Sequence, residues 1–155
     1  MSSRETAHLL ATKTGLELLQ AARDGAREVG GMPGLIGMKV LEVEPGRIRL
    51  SAVPESRHNN PLGTIHGGFT ATLLDSAMGC ALHATLPAGV GYTTLEFKMN
   101  FIRSLNAGSG QVIGEGKVVH AGKTTAIAEG SLFDADGKLA ATASTTCIII
   151  HPRGH

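Results

Sequence analysis

From Gly67 to about Ala84 nearly every position is apolar, whichever way a helix is drawn through it, and Asp75 is the one charge as far as Leu82. A helix without a polar face must be surrounded by other structure, so this one is predicted at the centre of the fold. Upstream, Leu9, Leu16, Leu19, Ala22, Ala26 and Val29 recur near helical spacing while Arg23, Asp24 and Arg27 fall elsewhere. That pattern predicts an amphipathic helix over residues 6–29, ended by Gly30, Gly31 and Pro33. Between Leu35 and Pro54 the period shortens to two, with Ile48, Leu50 and Ala52 alternating against Arg47, Arg49 and Ser51. Two strands around Glu44-Pro45-Gly46, one face wet, satisfy it. After the central helix, Leu95, Phe97, Met99 and Phe101 alternate with Glu96, Lys98 and Asn100, as in a half-buried strand. Three more strands are expected at about 111–119, 124–133 and 139–150, with turns at Ala121-Gly122 and Asp134 to Gly137. One buried helix and six mostly antiparallel strands make an α+β domain, a curved sheet around a helix.

Composition narrows the picture without naming an activity. A chain of 155 residues fits a single domain over 1–155, with a helical extension over 1–34 and a core over 35–150. A net charge of +1 gives no basic excess for nucleic acid, so no nucleic-acid partner is expected. Arg4 and Glu5 interrupt the beginning, no apolar run has signal-peptide length, and none approaches a membrane span. The two cysteines, Cys80 and Cys147, have neither metal-ligand spacing nor the count of a disulfide scaffold. A cytoplasmic protein is the expectation.

Chemistry concentrates between Asn59 and Ala77, NNPLGTIHGGFTATLLDSA. Gly67 and Gly68 let backbone N–H groups approach a ligand closely, and the first turn of a helix leaves such groups unpaired and partly positive. A developing oxyanion is stabilised there, which makes the Gly67 N–H a candidate donor. A tight loop-to-helix turn alone also accounts for the pair. Asp75, in so apolar a run, must find hydrogen-bond partners, shift its pKa or face a polar cavity. Either it is reactive, or other groups satisfy it at an oligomer interface. Asn60 carries an amide that both donates and accepts, suited to a substrate, to an attacking water or to an ordinary Asn turn. Phe69, Leu73 and Met78 are candidates for lining an acyl pocket, with core packing as the competing role.

The residues Asn60, Gly63, His66-Gly67-Gly68 and Asp75, followed by the TTLEFKMNFIRS strand, resemble the hot-dog-fold acyl-CoA thioesterases of the phenylacetate-pathway type. The likeness covers roughly residues 35–150. It implies the hot-dog fold, a curved antiparallel sheet wrapped around a central helix, here with an extra N-terminal helix. It also implies a positioning role for His66, a hydroxyl near the water at Thr94, and contacts to the coenzyme A part of the substrate from Arg103, Lys123 and Thr124. Arg153 is a further basic candidate in the tail.

Hydrolase equipment of other kinds is missing, since the chain has no Gly-x-Ser-x-Gly elbow and no Cys-x-x-Cys pair. A thioester needs little equipment, because its leaving thiol has a pKa of about 8.5 and departs without a strong acid. The resemblance therefore implies hydrolysis of a medium-sized or aromatic acyl-CoA, with Asp75 as nucleophile or as general base on water. No metal or separate cofactor is called for. A hot-dog hydratase or dehydratase is the runner-up, and a non-catalytic acyl-CoA-binding module the third reading. Gly67 and Asp75 are eight positions apart, about 12 Å along a continuous helix, too far to serve one carbonyl. The expected assembly is thus a homodimer with antiparallel central helices and shared sites, which the resembling enzymes commonly double into a tetramer.

Overall fold

The computed structural model describes residues 3–26 and 30–152. Six strands, β1 (Lys39–Glu44), β2 (Arg47–Ala52), β3 (Gly91–Phe101), β4 (Val112–Ala121), β5 (Thr125–Phe133) and β6 (Leu139–Ile150), form one curved sheet. Its order is β1-β2-β4-β5-β6-β3, every neighbouring pair antiparallel. The long helix α4 (Gly67–His83) crosses from β2 to β3 and packs against β2, β4 and β5, which is the expected hot-dog arrangement. Leu73, Leu74, Ala77, Met78, Ala81 and Leu82 of α4 are fully buried, as a helix without a polar face requires.

Small residues on the sheet bring α4 close. A side chain at Gly116 on β4 would overlap the Ala77 carbonyl of α4, while Gly114 and Gly130 face Leu73, Leu74 and Met78. Replacing Gly116 with Ala pits a methyl against backbone, which cannot swing aside. The expected loss is about 3 kcal/mol or more, the upper end of overpacking costs. Denaturant unfolding measures it, and a change under about 1 kcal/mol would show that the helix can lift off the sheet cheaply.

The N-terminal region departs from the single helix expected over 6–29. It forms α1 (Ser3–Thr12) and α2 (Gly15–Arg23), because Thr14 starts a new helix with a capping box. Thr14 Oγ1 accepts from the Glu17 N–H at 3.2 Å, and Glu17 Oε2 accepts from the Thr14 N–H at 2.8 Å. Arg27 and Val29 lie outside the described residues. A short helix, α3 (Gly31–Leu35), replaces the expected stop; Pro33 fits it because the first helical N–H groups have no partner in the helix to lose. On β2 the wet face ends at Arg49, which pairs with Glu42 at 2.7 Å and Glu115 at 2.9 Å, since Ser51 is buried.

β3 also differs from its expected half-buried form. A bulge at Thr94–Glu96 takes Leu95 out of the alternation, so Thr94 shares the helix side with Phe97, Met99 and Phe101. Leu95, Phe97 and Phe101 are nevertheless 57%, 37% and 59% exposed. β3 is an edge strand, paired on one side only among the described residues.

Candidate active site

The loop before α4 is tied by its own side chains. Asn60 Oδ1 accepts from the Leu62 and Thr64 N–H groups at 2.9 and 3.3 Å, and its Nδ2 donates to Thr64 Oγ1 at 2.9 Å. With Gly63 at φ +86, Asn60 thus forms an Asn turn, and one of its amide hydrogens is left over for a further partner. The His66 N–H donates to the His58 carbonyl at 2.8 Å, and the Ile65 N–H to the Leu105 carbonyl at 3.0 Å.

His66 caps α4. Its Nδ1 accepts from the Gly68 N–H at 2.8 Å and its carbonyl from the Phe69 N–H at 3.0 Å. A ring accepting at Nδ1 carries its proton on Nε2, so here His66 orients the helix entrance. Among the described residues the Gly67 N–H has no acceptor, and it is the open donor of the first turn. The Phe101 ring lies over Gly67, with Cζ 2.9 Å from where a Cβ would stand. Gly67, Phe101 and Arg103 line one depression of about 370 Å³.

Asp75 lies two turns further along α4 and is half-buried. Its Oδ1 accepts from Thr94 Oγ1 at 2.9 Å, which joins the helix to β3 through the two residues singled out in the sequence. The neighbouring Thr93 is exposed. Asp75 and Thr94 line a second cavity, of about 600 Å³, with Ser76, Cys80, His83 and Tyr92. Burial, then the acidic neighbours Cys80, Cys147 and Asp75, pushes the Tyr92 phenol far above its usual range, so it stays a neutral donor. Burial likewise raises the Cys147 thiol, across the ladder from Thr94, and keeps it from acting as a thiolate.

Other candidates fall elsewhere. Phe69, Leu73 and Met78 are buried in the hydrophobic core. Arg103 is anchored by its N–H to the Ala140 carbonyl at 3.0 Å, at the start of β6. Lys123 and Thr124 occupy the β4–β5 turn at the other end, where Thr124 accepts from the Ile149 N–H at 2.8 Å. Nine residues of strand separate the two anchors, about 30 Å, so one chain does not bring these three residues together. Arg153 lies outside the described residues. Sequence reasoning passed over Tyr92 and Phe101. The i, i+4, i+7 spacing of Ser76, Cys80 and His83 was a legible sign of one helix face.

A family model for the thioesterase superfamily matches residues 62–141, half of the chain, and spans the capped helix, Asp75, Thr94 and Phe101. The chain belongs to the thioesterase superfamily. This thioesterase is 32% identical over 103 residues to acyl-coenzyme A thioesterase 13 of Homo sapiens, covering 66% of this chain and 72% of that one. It is 26% identical to the 1,4-dihydroxy-2-naphthoyl-CoA hydrolase of Escherichia coli, covering 89% and 96%. Among solved structures, a phenylacetic acid degradation-related protein from Ralstonia eutropha JMP134 superposes with a TM-score of 0.75 at 28% identity, covering 84% and 98%. The protein is a thioester hydrolase, and among the described residues no helix of this thioesterase is long and apolar enough to cross a membrane.

Proposed function

We propose that this thioesterase hydrolyses a medium-sized or aromatic acyl-CoA to the free acid and coenzyme A, in the cytoplasm, at sites that two copies build jointly. The observation that carries the reading is the separation of Gly67 and Asp75. They stand about 12 Å apart on one unbroken helix and line different depressions. β3 runs antiparallel to α4, with Thr94 beside Asp75 and Phe101 over Gly67. Pairing β3 with its copy about a two-fold axis near Phe97 and Lys98 would set Thr94 of one chain opposite Phe101 of the other. Asp75 of one copy would then face the Gly67 N–H of its partner, twice per dimer. An eleven-residue edge with exposed Leu95, Phe97 and Phe101 favours such pairing, whereas β1, at the other edge, is short, charged and bulged. Arg103 would also approach the partner's β4–β5 turn, so Arg103, Lys123 and Thr124 could meet one coenzyme A from two chains. Two such dimers would make the tetramer.

In the reaction, the Gly67 N–H takes the charge developing on the thioester oxygen, and the coenzyme A thiolate leaves. Thr94 holds Oδ1 of Asp75, leaving the other oxygen to act. As a base it removes a proton from water as the water attacks; as a nucleophile it forms a mixed anhydride that water then opens. A hydratase pairs a His base with an acid, and His66, which precedes the glycine pair and caps the helix, is not placed as that base. The test is thiol release from a panel of straight-chain and arylacyl-CoAs. The expected result is a kcat/KM of about 10⁴ M⁻¹s⁻¹ or more for a medium or aryl group. No release from any member of the panel would overturn the reading.

A further inference from the structure

The cavity beside Asp75 has two unlike walls. On one side stands the face of α4 that carries Ser76, Cys80 and His83, with the Tyr92 phenol across from it. The other is made by Leu18, Leu19 and Ala22 of α2, with Pro33, Met38, Val40 and Leu50 beside them. Leu18 and Ala22 are four positions apart and Leu19 and Ala22 three, so the three side chains share one stripe. From Asp75 to His83 the cavity follows eight residues of helix, about 12 Å. No Lys or Arg is among its described lining residues, which suits an acyl group and not the phosphates of coenzyme A.

α2 is fixed firmly enough to act as a wall. A side chain at Gly15 would overlap the His83 carbonyl, so α2 starts in backbone contact with the end of α4. The Gly15 N–H donates to the Leu86 carbonyl at 3.2 Å, the Gly89 N–H reaches back to the Leu10 carbonyl at 2.8 Å, and Thr14 with Glu17 closes the capping box. Leu18 and Leu19 are buried, at 3% and 9% exposure, whereas Ala22 is half-buried and has the smallest side chain of the stripe.

We propose that α2 is the specificity wall of the acyl site, and that Ala22 keeps the cavity wide enough for a bulky acyl group. This rests on the thioesterase reading of the same site and adds the element that selects the substrate. The experiment compares wild type, Ala22→Leu and Ala22→Phe on acetyl-CoA, decanoyl-CoA and a naphthoyl-CoA, with thermal unfolding as the check on folding. Added bulk should lower the ratio of kcat/KM for the large acyl groups to that for acetyl-CoA, by about 10- to 200-fold, through KM more than kcat. Calorimetric binding of decanoic and naphthoic acids should weaken in the same order. An unchanged ratio together with unchanged acid binding would overturn the proposal. If Ala22→Phe fails to fold, the milder Ala22→Leu decides by the same criteria. Wild type inactive on every thioester would overturn the functional reading instead, and acid binding would still judge the wall.

Discussion

Asp75→Asn is expected to lower kcat by about 10²- to 10⁴-fold, the range for losing an acid–base contribution, with little change in stability. The substitution keeps the shape of the side chain and leaves an amide oxygen to accept from Thr94 Oγ1, which now donates to Oδ1 at 2.9 Å. In the proposed mechanism, what disappears is the oxygen that would remove a proton or attack the carbonyl. Asn can do neither. Steady-state thiol release gives the kinetic effect and thermal unfolding checks the fold. Turnover within a few-fold of wild type would remove Asp75 from the mechanism and return it to the role of a satisfied interface carboxylate.

Gly67→Pro deletes a single N–H. Gly67 is the first residue of α4, a position where proline is well tolerated, and His66 before it has φ −61 and ψ 137, the extended conformation that proline favours in its neighbour. The Phe101 ring must give way, and although it lies on the β3 edge proposed to pair, the atom nearest to Gly67 is its outermost carbon, Cζ. Losing one oxyanion donor is expected to cost about 10²- to 10³-fold in kcat. Mixing this variant with Asp75→Asn after reversible subunit dissociation then tests the shared site. Each mixed dimer holds one intact pair, Asp75 from one chain and Gly67 from the other, so about a quarter of wild-type activity should return under random assortment. No recovery despite demonstrated exchange would mean that each chain uses its own Gly67 and Asp75, contrary to the distance along α4.

Gly67 and Asp75, the proposed donor and acid, were legible in the sequence because their signals are local in character. A helix apolar on all sides can only be buried, and a glycine pair at its start frees donors whatever surrounds it. Asp75 could be singled out because it is the one charge in that run. The break at Thr14 was also written locally, as Thr-x-x-Glu, and passed unread inside a longer apolar period. Tertiary structure alone decided the rest. Alternation could not reveal the bulge that turns Thr94 instead of Leu95 toward Asp75, because a bulge is a property of two paired strands. Nor could it expose β3, since burial of an edge strand depends on what lies beyond it. The wall that α2 supplies to the acyl cavity likewise comes from packing between segments more than fifty residues apart, Leu18 and Ala22 against Asp75 and Tyr92. Local spacing fixes which side chains share a face; only the folded chain brings two faces together around a space.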